Sequence, residues 1–145
     1  MFYVLNVVRY RQLGFKAFVE KPLRITGSQY ISLCRNVTVN KYCWLAALKI
    51  DDRAPELTIK EGSSIGDFNH IAAVRKVMIG RNVLTANRVY ISDNLHSYEN
   101  IQEPIMNQQV IFKGEVSIGD GSWIGETAAG WQRNVLDISS LSPVS

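Results

Sequence analysis

The amino-acid sequence predicts an all-β domain built as a stack of triangular coils, and three observations predict it. Stepping by six from Ile59 meets Ile65, Ile71, Val77, Val83, Val89 and Leu95, in a chain that is only 46% apolar. In one fixed phase such a run arises by chance about half a percent of the time. A second column displaced by two holds Ala73, Ile79, Thr85 and Ile91, while Ile25, Ile31, Val37, Cys43 and Leu33, Val39, Leu45 form earlier ones. Glycine follows an apolar residue at Ile65-Gly66, Ile79-Gly80, Ile118-Gly119 and Ile124-Gly125. A helix of 3.6 residues per turn would scatter these columns, whereas short extended segments joined by tight turns bring one side chain back to the same place on each side of a prism. Glycine is expected there because tight turns demand positive φ.

The elements follow in order. Residues 1–24 precede the columns and open with MFYVLNVV, an apolar start soon broken by Arg9, Arg11 and Lys16. It is too short and too charged to span a bilayer and lacks the basic lead of a cleavable signal. It is expected as a short N-terminal segment whose apolar positions suit an amphipathic helix packed on its own domain or an oligomer partner. Residues 25–126 form the coils, with β-branched side chains piled into an inner ladder that no single coil could bury. The column phase breaks twice, which places insertions near 46–58, around Asp51-Asp52-Arg53-Ala54-Pro55, and near 97–109, reading SYENIQEPIMNQQ. The second leaves the stack directly after His96, and such excursions carry function while the coils supply rigidity. Residues 127–145 continue no apolar column, since the next steps from Ile118 and Ile124 fall on Gly130 and Leu136. The last seven residues read as a loose tail.

Composition narrows the function. A chain of 145 residues with a net charge of +3 is one domain of ordinary size, and its basic residues are scattered among acids. No block tracks a nucleic-acid backbone, so nucleic acid is excluded as a first partner. Cys34 and Cys43 have no CxxC spacing and suit a reducing compartment as small apolar residues, which with no targeting signal points to the cytoplasm. His70 and His96 are the only histidines. One chain therefore lacks three nitrogen ligands, and no HExxH or Cys/His cluster exists, so no metal is expected.

At IGRNVLTANRVYISDNLH and IGDGSWIGE the chain resembles the hexapeptide-repeat acyltransferases, among them the sugar and polysaccharide O-acetyltransferases. The resemblance covers roughly residues 20–126. It rests on repeated hexads, an Asp-Asn-x-His segment, a following loop with Pro104, and then Gly-Asp-Gly-Ser-Trp-Ile-Gly. It implies a left-handed parallel β-helix, a hand that periodicity cannot supply and that general crossover preferences oppose. It further implies acetyl-CoA as acyl donor, a saccharide or other small hydroxyl acceptor, and a homotrimer with active sites between adjacent prisms.

By the same resemblance His96 stands where the family places its general base, a task that suits an imidazole titrating near neutrality. Asp93 is expected either to orient that imidazole or to close the Ser92-Asp93-Asn94 turn. Asn69 matches an acceptor-contacting asparagine, against the alternative of a β-helix corner residue. Asn94, His70, Tyr98 and Glu99 are the other acceptor-side candidates, although a packed or surface imidazole is the better account of His70. On the donor side stand Trp123, whose indole could cover a pantetheine arm or pack between coils, and the adjoining Gly125 and Glu126.

After Glu126 the family normally adds further hexads that complete the CoA groove, so this chain reads as one lacking the usual C-terminal coils, by truncation, a changed frame or a different cap. Two alternatives to O-acetyl transfer follow. One is a non-catalytic β-helix that binds or scaffolds, and the other is N-acyl transfer by the same base chemistry. A β-helical carbonic anhydrase needs three histidines, more than the chain contains.

Overall fold

The computed structural model describes residues 10–126 and 129–131. The amphipathic start at 1–9 and the tail at 132–145 lie outside the described residues. Among the described residues, seventeen strands lie in three parallel sheets of five and one antiparallel pair. The first coil is β1 (Gln12–Leu13), β2 (Phe18–Val19) and β3 (Arg24–Thr26). The second is β4 (Ile31–Leu33), β5 (Thr38–Val39) and β6 (Trp44–Ala47). The third is β7 (Glu56–Ile59), β8 (Ser64–Ile65) and β9 (His70–Ala73). The fourth is β10 (Lys76–Ile79), β11 (Leu84–Thr85) and β12 (Tyr90–Ser92). A hairpin, β13 (Asn94–His96) and β14 (Val110–Phe112), precedes the fifth: β15 (Val116–Ile118), β16 (Trp123–Ile124) and β17 (Ala129–Trp131).

Each strand pairs in parallel with its counterpart one coil away, so the sheets run β1-β4-β7-β10-β15, β2-β5-β8-β11-β16 and β3-β6-β9-β12-β17. This is a parallel β-helix. Register partners show how the coils differ. Gln12 meets Ser32, Thr38 meets Ser64, Leu84 meets Ser64 and Leu84 meets Trp123, so successive coils advance by 20, 26, 20 and 39 residues. Two sides of every coil keep the six-residue spacing, as in Ser64 to His70. All the extra length enters at the third corner, between the β3-type and β4-type strands.

That corner explains the column reading. Each side carries two inward residues, and Leu33, Val39, Leu45, Ile59, Ile65, Ile71, Ile79 and Ile91 form one ladder, each at most 1% exposed. Leu57, Val77, Val83 and Val89 belong to the other. Two extra residues at the third corner shift the phase by two, so the six-step run passes from the first ladder at Ile71 to the second at Val77. Leu95, its last member, is not in the stack; it lies on β13 opposite Ile111. Full burial of each such aliphatic side chain stabilises by about 1.5–3 kcal/mol relative to exposure. The inward Ser63 is satisfied locally: its hydroxyl donates to the Gly80 carbonyl (2.7 Å) and accepts from the Val83 amide (3.0 Å).

Three expectations are corrected in detail. Residues 10–24 hold no helix; they make most of the first coil, and β1 and β2 pair with β4 and β5. Beyond Glu126 the sheet continues through β17, in register with β12, although no apolar column marks it. The Ile-Gly glycines do not sit at positive φ. The left-handed corner positions belong to Lys16, Asn36, Gly62, Asn82 and Gly121 at one corner, and to Tyr42, Phe68 and Arg88 at the next. Gly66 and Gly80 are small because the next coil passes against them: a Cβ at Gly80 would meet the Ile118 carbonyl oxygen at 2.7 Å, and one at Gly66 would run into Ala86.

Candidate functional site

The third corner carries both insertions, because adjacent coils stack like corners on like. Residues 48–55 follow β6, and the arm formed by β13, residues 97–109 and β14 follows β12. Between arm and stack lies a cleft of about 700 Å³. Its wall is Trp44, His70 and Tyr90, its floor includes Ala46 and Ala72, and the arm contributes Asn94, Leu95, His96, Tyr98, Ile105 and Val110.

His96 ends β13 opposite Val110, exposed at the cleft. Its Nδ1 lies 3.2 Å from the Gln108 carbonyl oxygen. A carbonyl only accepts, so the neutral imidazole carries its proton on Nδ1 and leaves Nε2 as the basic nitrogen. Gln108 is itself anchored. Its side chain is 8% exposed, and its Nε2 donates to the carbonyls of Asn100 (2.8 Å) and Glu103 (2.9 Å). One buried amide thus folds the loop and sets the imidazole's tautomer. The sequence contained no signal for it, because a glutamine in a polar loop looks like any solubilising residue.

Asp93 roots the arm. At 1% exposure its carboxylate accepts the backbone N–H groups of Val74, Arg75 and Lys76, each at 2.8 Å, and the Asn94 side-chain amide at 2.9 Å. It thereby holds the third corner of the preceding coil, and its own carbonyl accepts the Lys113 N–H at 2.8 Å where the arm returns. No hydrogen bond among the described residues joins it to His96. Arg75 ties the two insertions together, for its guanidinium grips the Asp51 carboxylate through both nitrogens and lies 5.8 Å from the Phe112 ring centroid. That pairing lowers the Asp51 pKa and raises that of Arg75.

The remaining candidates divide. Asn94 and Tyr98 share the cleft with His96 and His70, while Glu99 is an exposed loop residue away from its lining. His70 stacks on Trp44, centroids 4.2 Å apart and planes 4° from parallel, and meets Tyr90 edge-on at 5.1 Å. Burial lowers its pKa and favours the neutral ring. Asn69 is placed otherwise than expected for an acceptor contact. It is 1% exposed inside the corner, its Nδ2 donates to the carbonyls of Gly66 (2.8 Å), Asp67 (3.2 Å) and Ala86 (2.8 Å), and its Oδ1 is buried without a partner. Its amide is committed to joining two coils.

Trp123, Gly125 and Glu126 lie elsewhere. Trp123 is on β16 in the second sheet, 61% exposed, with its indole over Gly125, while Glu126 pairs with Arg88 at 3.1 Å. The flat exposed indole is open to a ligand, but none of the three lines the cleft. Within one chain the structure does not bring the donor-side candidates to His96. Among the described residues no three His, Cys, Asp or Glu side chains converge as a metal cluster, and no helix is long and apolar enough to cross a membrane. Both cysteines are buried and free, and burial pushes the Cys43 thiol up to about 11.

Comparison with known proteins adds two likenesses. Over 68 residues the chain is 31% identical to WbbJ of Escherichia coli (strain K12), named as a candidate O-acetyl transferase of lipopolysaccharide biosynthesis. The match takes in 43% of this chain and 35% of that protein, so the chain spans about a third of the relative's length. The course of the backbone is similar to that of AntD, an N-acyltransferase from Bacillus cereus solved with dTDP and 3-hydroxybutyryl-CoA. The TM-score is 0.60 at 14% identity, covering 94% of this chain and 80% of that one. At that identity the likeness bears on the fold, a left-handed parallel β-helix. No family model matches the chain.

Proposed function

We propose that the protein transfers an acyl group from an acyl-CoA, acetyl-CoA in the simplest case, to a hydroxyl of a saccharide, with His96 as general base. The observation that carries the reading is the His96–Gln108 pair. It fixes the proton on Nδ1 and leaves Nε2 free beside a cleft large enough for a substrate. His96 takes the proton from the acceptor hydroxyl as its oxygen attacks the thioester carbonyl, and returns it to the departing thiolate. One C–S bond is exchanged for one C–O bond, and the base ends as it began. The likeness to WbbJ, named for O-acetyl transfer in lipopolysaccharide biosynthesis, supports an acetyl group delivered to a saccharide oxygen, and that to AntD supports an acyl-CoA as donor.

Trp123, with Gly125 beneath it, is the group suited to an acyl-CoA, and it stands in another sheet from His96. We therefore place each active site between two chains of a homotrimer, the arm of one prism facing Trp123 of the next. The exposed Phe18, Leu84 and Trp123 on the second sheet supply apolar surface for that contact. A cytoplasmic setting would supply the acyl-CoA. The experiment is release of CoA thiol from acetyl-CoA with a panel of sugars, beside the mass in solution and the His96→Ala variant. Acceptor-dependent release by a trimer, lost in the variant, is expected. Release unaffected by His96→Ala would overturn the assignment of the base, and a folded protein that binds no acyl-CoA would favour a non-catalytic scaffold.

A further inference from the structure

The cleft has a construction that a base alone does not require. On the third sheet Leu45, Ile71 and Ile91 face inward, so their neighbours alternate outward. One outward column is Arg24, Trp44, His70 and Tyr90, and the other is Thr26, Ala46, Ala72 and Ser92. Outward positions of a β-helix normally meet solvent, yet Ala46, Ala72 and Ser92 are 1%, 6% and 1% exposed. All three are small; Ala46 and Ala72 form the floor of a groove that runs along the helix axis beneath the arm, and Ser92 is covered next along the same column. The aromatic column beside it has its faces occupied: Trp44 lies between the Arg24 guanidinium (5.1 Å) and His70, and Tyr90 closes the other end. The Trp44 Nε1 is spent on the Thr26 hydroxyl (3.3 Å). On the stack side the groove is lined by Trp44, His70 and Tyr90 beside the methyl groups of Ala46 and Ala72, and the arm adds Leu95, Ile105 and Val110 together with the polar Asn94, His96 and Tyr98.

The strip along the stack is mostly apolar, and the polar residues that face it from the other side come from the arm that carries His96. An acetyl methyl would fill a small part of it. We infer that the groove binds a linear hydrocarbon chain of about six to eight carbons, matching the roughly 10 Å spanned by three neighbouring strands. One of the two substrates carries that chain next to its reacting group. It is either the acyl chain of the donor or an alkyl aglycone on the acceptor. The placement of the reacting group beside His96 rests on the reading above; the groove's preference for a hydrocarbon does not.

The test is calorimetric titration of the full chain with two homologous series, acetyl-, hexanoyl- and octanoyl-CoA, and methyl to octyl glucosides below their micellar concentrations. A methylene fully removed from water contributes a factor of nearly four, and one half removed about two. Six further methylenes in this open groove should therefore tighten binding by roughly fiftyfold. The series that shows the gain identifies the substrate that carries the chain. Ala72→Leu should return the long member to the affinity of the short one by filling the floor. Should that variant fail to fold, Leu48→Asp at the rim, where Leu48 is 37% exposed, should weaken the long member selectively. Affinity independent of length in both series would overturn the inference. Length-dependent binding without transfer would leave it standing and sink the reading of His96, whereas transfer without length dependence would do the reverse.

Discussion

Replacing Asp93 with alanine removes a carboxylate that three consecutive backbone amides share, and the structure sets the scale of the loss. The Val74, Arg75 and Lys76 N–H groups each donate to it at 2.8 Å, and Asp93 itself is 1% exposed. A buried donor left unsatisfied costs about 1–3 kcal/mol. Val74 is fully buried, whereas water can reach Arg75 and Lys76, which are half-buried. One full penalty and two partial ones give about 3–5 kcal/mol, or a fall in Tm of roughly 10–15 °C for a domain of this size. The assay is thermal and urea unfolding beside residue-resolved amide hydrogen exchange. The amides of residues 74–76 should lose protection selectively, and the arm with His96 should loosen because its base rests on the same carboxylate. A Tm within about 2 °C of the parent, with residues 74–76 still protected, would refute the assignment of Asp93 as the root of the arm.

Three further outcomes are expected. His96→Ala should lower acyl transfer by about a hundred- to ten-thousandfold while leaving the melting curve in place, because the side chain is exposed; the assay of CoA release reads this directly. Gly66→Ala should destabilise markedly, since the new Cβ would meet the Ala86 backbone, whereas Lys16→Gly should stabilise by up to about 1 kcal/mol by relieving a left-handed φ of 60°; denaturant midpoints compare them. Cys43 should resist alkylation at neutral pH until the chain unfolds. Its thiol is pushed up to about 11, above the value near 8.5 of an unfolded cysteine, so its contribution to stability is complete below the unfolded value and is lost as pH rises through the folded one. A Cys43→Ala variant should flatten that alkaline loss.

The residues legible in the sequence and those that were not differ in how local their physics is. The hexad spacing is local, since six residues of extended chain and a corner repeat wherever an aliphatic residue returns on time, so Ile59, Ile65 and Ile71 identified themselves. The ladder's crossing from Ile71 to Val77 was not legible as a change of column, because two extra residues at the corner coincide with the spacing between the two inward positions. The glycines were found, but for another reason than φ: Gly66 and Gly80 yield to a neighbouring coil that is distant in sequence. The first coil escaped the column reading because its inward positions include Arg11 and Leu23 among exposed residues and its strands are two or three residues long.

By itself, then, the sequence determined the period, the all-β stack and the two places where chain leaves it, because each is written in the order of apolar and turn residues along a short window. Tertiary structure alone decided that both excursions share one edge, since this depends on counting corners across coils that advance by 20, 26, 20 and 39 residues. It also decided that Gln108 sets the His96 tautomer, that Asp93 serves backbone amides 17 to 19 residues away, and that Asn69 is turned inward. Hydrogen bonds between coils choose partners by position in space, and a polar side chain carries no mark in sequence of which coil it will meet.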